Sequence, residues 1–584
     1  DVYLPAIDGK PVESRFPTLI ERTPYLKGLI GMRNTATFFA RRGYVCIIQD
    51  VRGRGGSEGD WFFLLNTPNE ADDGYDALSW IVQQPWSDGQ VGTIGLSYTG
   101  GSQQALAVSN PPGLKAQFLM DCGYNLHTQG YRSGGALGLG VVYPYAFRKA
   151  RDGKEAQRDP AVRRALEEAI DNFEEWLGHI PPKRGATPLA LAPTYEDMLF
   201  AVGSRGDYDD FWKNPGSSLE EHIDSYPDIP LFLLTSWYGH HAWANTVKFV
   251  EFRKRLKSPV RMVIGTWLHG HDTLLESWSG EVDFGVDAIL DNINDLRLKW
   301  FDHFLRGMHT DVLDGPSIKM FIMGGGSGRR NLAGHMSHGG YWRSEEDWPP
   351  PYTQLTKYYL HDGGDLSTNS PEAIKPPSRY TFDPLDPVPT LGGCVQSPQI
   401  PRILSGGAFD QRGRPELFFA CKNDLPLASR ADVLVFQTSP LTEDVEVTGT
   451  VEVHLWASSS TPDTDFTAKL IDVYPPNEDY IQGFAMNICD GIIRARYRNS
   501  RESGEMMESG IAYKFTISLQ STGNVFKKGH RIRLDISSSN FPRFDVNPNT
   551  DAPLWSSGEK QVAHQAVYHD RDHQSHVVLP VISP

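Results

Sequence analysis

The first 125 residues alternate short apolar runs with helical patterns, and this constrains the fold more than any other feature of the chain. "GYVCIIQD" (43–50) reads as a buried strand and "ADDGYDALSWIVQQ" (71–84) as an amphipathic helix. "VGTIGLS" (91–97) is the next strand, "GGSQQALAVS" (100–109) the next helix, and "LKAQFLMD" (114–121) another strand. Apolar strands that alternate with helices form a parallel α/β sheet covered on both faces. From about 125 to 225 the strand signal disappears, and "DPAVRRALEEAIDNFEEWLG" (159–178) carries most of a helical insertion. Alternation returns with "IPLFLLTSW" (229–237), a helix at "NTVKFVEFRKRL" (245–256), the strand "VRMVIGTW" (260–267) and a helix over 288–307. After about 312, strand-like pieces such as "SIKMFIMGGG", "VEVTGTVEVHLWASS" and "HRIRLDISSS" recur between Gly/Pro turn signals. Such a series predicts a β-sandwich of jelly-roll type. The expected domains are an α/β domain over 1–124 and 226–311, a helical cap over 125–225 and a jelly-roll sandwich over 312–584.

At 584 residues the chain is too long for one core, since cores stop growing near about 250–300 residues. The formal net charge of -16 argues against nucleic acid as the main partner, because phosphate binding needs a basic surface. No apolar run approaches the roughly 20 residues of a membrane helix, so no membrane partner is expected. The five cysteines (46, 122, 394, 421, 489) are scattered, without a CxxC or a Cys/His cluster. Zinc and a disulfide framework are therefore not expected, and buried free thiols are. No HExxH, Walker or GxGxxG segment stands in the right context, so neither a metal nor an organic cofactor is implied. The chain starts at Asp1 rather than Met; the expected compartment is the cytoplasm, with a removed N-terminal signal as the alternative.

Ser97 lies between glycines in Gly95-Leu-Ser97-Tyr-Thr-Gly100, after an apolar strand and before a small-residue helix. This matches the G-x-S-x-G nucleophile elbow, whose tight turn lifts the hydroxyl above the C-terminal edge of the sheet. A serine hydroxyl needs a base to take its proton. In this fold the triad runs Ser, acid, His, so the base belongs on a loop after a late strand. His269, which follows "VRMVIGTW", fits that place.

The chain resembles the cocaine esterase / X-Pro dipeptidyl-peptidase / α-amino acid ester hydrolase group of serine hydrolases over nearly its whole length. The matching segments include "ERTPY" (21–25), "RRGYVCIIQDVRGRGGSEGDW" (41–61), "DGYDALSWIVQQPWSDGQVGTIGLSYTGG" (73–101), "GTWLHG" (265–270) and "LRLKWFDHFLRG" (296–307). "DTDFTAKLIDV" and "GHRIRLDISSSNFPRFDVNPNT" continue the series in the C-terminal part. The resemblance implies an α/β-hydrolase domain with a helical cap and a C-terminal jelly roll that walls the site. It implies an oxyanion hole made by the backbone N–H of Tyr98 and the hydroxyl of Tyr25. Losing one such donor typically costs about 10²–10³ in rate. It implies no cofactor, and homo-oligomers occur among the relatives.

One position departs from the family. The family's triad acid sits in a "GWYD" motif, and here "TSWYGHHAWAN" (235–245) places Gly239 where the aspartate belongs. The acid fixes the imidazole tautomer, and neutralising it costs about 10⁴ in kcat in a serine protease. Three readings follow. The acid has migrated, to Asp121 at the end of the strand after the nucleophile helix or to Asp272 just past His269. The site runs as a Ser-His dyad with His240, His241 or water holding the ring. Or hydrolysis has been lost or diverted. Asp121 reads equally well as a strand-end carboxylate that caps the next loop or greets a substrate amine.

Trp61, Phe62, Tyr124, Trp237, Tyr238, Trp243 and Trp267 lie near these motifs and could line an acyl or aryl pocket or belong to the core. The carboxylate cluster with which α-amino acid ester hydrolases bind an ammonium has no counterpart after Ser97-Tyr98, where Thr99 and Gly100 follow. The expectation is hydrolysis of an ester or amide of a small bulky acyl substrate. The rivals are an acyltransferase or cyclase on the same scaffold, and an inert binding protein.

Overall fold

In the computed structural model, residues 1–62, 69–395, 402–556 and 558–583 are described. Eight strands build the first sheet: β1 (Val2–Tyr3), β2 (Phe16–Thr23), β3 (Val45–Asp50), β4 (Ser87–Leu96), β5 (Leu114–Met120), β6 (Leu231–Ser236), β7 (Val260–Gly265) and β8 (Ile318–Met323). Their spatial order is β1-β3-β2-β4-β5-β6-β7-β8. Strand β1 pairs antiparallel with β3, and every later neighbour is parallel. All six residues of β6 are buried, as a strand covered on both faces requires.

The helices α1 (Ile30–Ala40), α2 (Asn69–Ile81) and α3 (Tyr98–Val108) follow β2, β3 and β4. Ten consecutive residues of α3, Tyr98 to Ala107, are buried, which suits its small-residue sequence. In the cap, α4 (Leu139–Arg151), α5 (Pro160–Asp171) and α6 (Pro193–Ser204) share a core of their own that includes Leu139, Phe147, Leu166 and Leu199. The helix expected over 159–178 starts where Pro160 takes the first position and Asp159 accepts a hydrogen bond from the Ala161 N–H at 2.8 Å. It breaks at Asn172 (φ -108°, ψ 34°), and a short helix Phe173–Leu177 continues. Back in the α/β domain lie α7 (Ala242–Arg255) and α8 (Ile293–Arg306), the latter closed by Gly307 in the left-handed region.

The C-terminal part is a sandwich of two antiparallel sheets. One contains β9 (Leu434–Gln437), β11 (Asp465–Tyr474), β12 (Phe484–Arg494) and β14 (Arg531–Ser537). The other is built around β10 (Val445–Ser459), β13 (Tyr513–Phe526) and β15 (His576–Ile582). Leu455, Phe466, Leu470, Phe515, Ile517 and Leu534 fill the space between them.

The strand Ile318–Met323, in the part of the chain expected to form the jelly roll, pairs as β8 parallel to β7, with Met262 opposite Ile318. Its far end meets β13, where Met323 faces Asn524. Among the described residues one sheet of sixteen strands therefore runs from the α/β domain into the sandwich.

Candidate active site

Ser97 occupies the turn between β4 and α3 with φ 65° and ψ -119°. A non-glycine residue held there stores strain of about 1–3 kcal/mol, which persists only when the surroundings over-determine it. They do here: the Ser97 N–H donates to Met120 O at 2.9 Å, and its carbonyl accepts from the N–H groups of Gly100 and Gly101. The glycine spacing differs from the expected G-x-S-x-G. Position 99 is Thr99, whose hydroxyl binds Glu21 Oε1 at 3.1 Å and Leu96 O at 2.9 Å. Thr99 is why Gly95 must be glycine, since a Cβ there would stand 2.1 Å from Thr99 Oγ1. The second glycine is one residue later, Gly100, where a Cβ would come within 2.7 Å of Cys122 Cβ.

Strand β5 ends beside the elbow, because Leu96 pairs with Met120. The next residue, Asp121, is 3% exposed and has φ 35°. Its N–H donates to Leu234 O at 2.7 Å. One carboxylate oxygen accepts from Thr235 Oγ1 at 2.8 Å, and the other is hydrogen-bonded to His269 Nδ1. Burial alone would raise the Asp121 pKa. The charge and hydrogen bond of His269, helped by His241 and Thr235, outweigh burial and hold the carboxyl below its usual range.

The position of Gly239 explains the geometry. A Cβ on residue 239 would lie 2.9 and 3.0 Å from the two Asp121 carboxylate oxygens and 2.8 Å from Ser236 Oγ. The Asp121 carboxylate thus fills the volume that a side chain at 239 would enter. The other candidate partners of His269 stand differently. Asp272 is exposed at the start of a short 3-10 turn. The His241 and His240 rings lie edge-on to His269 with centroids 5.7 and 6.5 Å away. Burial makes both neutral, His241 with its pKa lowered to about 3.

Tyr25 follows β2 and is half-buried. Its N–H donates to Thr23 Oγ1 at 3.0 Å, and its side chain shares a hydrogen bond with Tyr145 of the cap. The Lys149 ammonium sits 4.3 Å from the centre of its ring. Tyr98 is the first residue of α3, so its N–H stands at the positive end of the helix.

Residues that the sequence did not single out brace this elbow from below. The Tyr98 hydroxyl donates to buried Glu70 and accepts from Trp61 Nε1 at 3.1 Å. Glu70 in turn pairs with buried Arg22 at 3.1 Å. Lys248, fully buried on α7, donates to Gln104 Oε1 at 2.9 Å and Cys122 O at 2.8 Å, tying the residue after Asp121 to α3. None of these carries a local motif; a charged residue inside an amphipathic helix is the only hint that sequence offers.

The aromatic residues divide. Trp61 packs beside Tyr98 and Tyr195, with ring centroids 6.0 and 5.6 Å away, and Phe62 packs against the same cluster. Trp237, Tyr238 and Trp267, expected in a substrate pocket, are core residues at 0–1% exposure. Their polar atoms bind Phe321 O, Asn487 O and Ala288 O at 2.6, 3.0 and 2.8 Å. Tyr124 likewise belongs to the main core, at the root of the cap. A short apolar stretch cannot distinguish these two fates. The five cysteines are free and buried, as expected.

Comparison with known proteins agrees with the fold. The family described as X-Pro dipeptidyl-peptidase (S15 family) matches residues 1–271, and the X-Pro dipeptidyl-peptidase C-terminal non-catalytic domain matches residues 310–578. Cocaine esterase of Rhodococcus sp. (strain MB1 Bresler) is 34% identical over 607 residues, covering 100% of this chain and 96% of its own length. An aminopeptidase from a marine sediment archaeon (Thaumarchaeota archaeon) superimposes with a TM-score of 0.78 at 24% identity, over 98% of this chain and 92% of that one. An α-amino acid ester hydrolase does so with a TM-score of 0.75 at 24% identity, over 99% and 93%. At those identities the two structures establish the architecture.

Proposed function

We propose, from the premise that this chain belongs to the family of cocaine esterase and the S15 X-Pro dipeptidyl-peptidases, that it cleaves an ester or amide bond of a small bulky acyl substrate through an acyl-enzyme. Membership makes it a serine hydrolase; the roles of its residues are our reading. Ser97 is the nucleophile and His269 the base. His269 takes the Ser97 proton as Oγ attacks the carbonyl carbon. The carbonyl oxygen becomes an oxyanion, held by the Tyr25 hydroxyl and the Tyr98 N–H. The imidazolium gives its proton to the leaving group as the tetrahedral intermediate collapses. Water then attacks the acyl-Ser97 by the same route and restores the serine. Asp121 orients His269 through Nδ1 and balances the imidazolium charge. Trp61, beside Tyr98, walls the acyl side.

The observation that carries this reading is the Asp121–His269 contact in the volume vacated at Gly239. It supports hydrolysis over an inert binding role, because an unused triad has no reason to keep a strained, buried acid against its histidine. The test is steady-state kinetics on a panel of acyl esters and amides. Ser97→Ala should abolish turnover and labelling by a fluorophosphonate, and Asp121→Asn should lower kcat by about 10⁴. Near wild-type activity in Asp121→Asn would remove the acid role while leaving the serine hydrolase intact. An acyltransferase would use the same acyl-enzyme; product analysis with an added amine separates the two, with hydrolysis expected to dominate.

A further inference from the structure

The last turn of α4 brings cations to the tyrosine that holds the oxyanion. Arg148 and Lys149 follow Tyr145 by three and four residues, so all three share one helix face. Tyr145 shares a hydrogen bond with Tyr25. Lys149 Nζ lies 4.3 Å from the centre of the Tyr25 ring and 5.3 Å from that of Tyr145. The Arg148 guanidinium carbon is 5.9 Å from the Tyr145 ring. One buried side chain, Arg54, fixes this arrangement. It donates from Nε to the carbonyl of Pro24, next to Tyr25, at 3.0 Å, and from a terminal nitrogen to the Lys149 carbonyl at 2.9 Å. Its guanidinium carbon lies 4.9 Å from the ring of Trp61, which puts the cluster on the acyl side.

These cations lack a counter-charge. Arg54 donates only to neutral oxygens, those of Pro24, Lys149 and Tyr195. Among the described residues Arg148 and Lys149 have neither an ion pair nor a hydrogen bond to a carboxylate. The acid that acts on both is Asp152, and Arg151 holds its two oxygens, each at 2.9 Å. Burial first, then the like charges of Arg54 and Arg148, push Lys149 well below the usual lysine range. Lys248, equally buried on α7, is instead met by Gln104 Oε1 and Cys122 O. Water can hydrogen-bond to Arg148 and Lys149, and tyrosine faces attract them, but neither supplies negative charge. An anion does. Lys149 is 7% exposed and Arg148 more so, and thus neither is sealed off.

We propose that Lys149 and Arg148 form an acyl subsite for a carboxylate, so that the substrate is an ester or amide of a dicarboxylic acid whose free carboxylate lies a few carbons from the scissile carbonyl. The inference rests on the reading of Ser97, His269 and Tyr25 above. Tyr25 sets the reach. Its hydroxyl meets the oxyanion at about 3 Å, and Lys149 packs on the same ring. A carboxylate that accepts from Lys149 at about 2.8 Å is therefore one tyrosine ring away from the reacting carbon, a span of about two to four methylenes. The bound anion favours the protonated amine, which the free site disfavours.

The experiment compares ethyl esters in pairs: the monoethyl esters of succinic, glutaric and adipic acid, and the analogues in which a primary amide replaces the carboxylate. Ethanol release gives kcat/KM for each. For at least one chain length the acid should be favoured over its amide by roughly tenfold or more, since the amide keeps the shape but not the charge. Lys149→Met should bring that ratio to unity or below and Arg148→Met should lower it. Both should act mainly through KM, because the contact exists before and during the reaction. Because each ratio is taken within one preparation, a partly folded variant still reports it. Amides turned over as well as the acids at all three lengths overturn the subsite and leave the Ser97 reading standing. A preference for the acid that either variant keeps in full overturns it too. Turnover of no ester overturns the subsite alone if a fluorophosphonate still labels Ser97, and both readings if it does not.

Discussion

Asp121 and residue 239 compete for one volume. A Cβ on 239 would press against both Asp121 carboxylate oxygens, so a second carboxylate cannot be added without displacing the first. Gly239→Asp alone is therefore expected to lower kcat, whereas Asp121→Gly combined with Gly239→Asp should recover part of what Asp121→Gly loses. Kinetics of the four proteins on one ester check this cycle, and strictly additive losses would contradict a shared role. Tyr25→Phe should lower kcat by about 10²–10³ with a smaller change in KM, since the oxyanion forms only in the transition state. Ser97 and His269 were legible because each sits in a local pattern, a strand followed by a sharp turn. Asp121 was legible only as one of several candidates. Choosing it needs the Asp121–Thr235–His269 arrangement, which joins residues from three strand ends.

The elbow is an element-scale device, fixed from below by α2 and from the side by β5. Tyr98→Phe would leave Glu70 buried with Arg22 and without the phenol. A cost of about 1–3 kcal/mol is expected from the lost partner of a buried charge, read as a lower urea midpoint. Gly95→Ala would force a methyl onto Thr99 Oγ1, and its expected outcome is a lower Tm together with lost labelling of Ser97. Most strands and helices were readable from apolar periodicity. Strand β2 was not, because "FPTLIERT" places Glu21 and Arg22 inside the protein. Burial pushes the Glu21 carboxyl up, opposed by Arg297 and Thr99, and Arg22 is met by Glu70. Charges that are buried in pairs defeat a hydropathy pattern, because each partner is far away in sequence.

At the scale of the whole molecule, buried histidines set the response to acid. His241 and His127 have pKa values lowered to about 3 and about 4, in both cases first by burial. Below the unfolded value of about 6.5 the denatured chain binds protons that the native one refuses, so stability falls as pH drops toward the folded values. Each such histidine removes up to about 1.4 kcal/mol per pH unit over that range. Urea unfolding at pH 7.5 and 5.5 should show the loss, and His127→Gln should reduce the slope. The three-part architecture was legible in the order of patterns along the chain, and the continuity of its sheet was not. Strand β8 is shared: along one side it pairs first with β7 and then, at Met323, with Asn524 of β13, while residues 340–345 pair antiparallel along its other side. The hydrolase sheet therefore continues past β8 into the antiparallel strand 340–345, and a fragment cut at residue 311 would expose β7 to pairing with strangers. A chimaera that exchanges jelly rolls between relatives must therefore carry the junction across with β8 and its partner strand together, so the unit of exchange is the seam and not the domain.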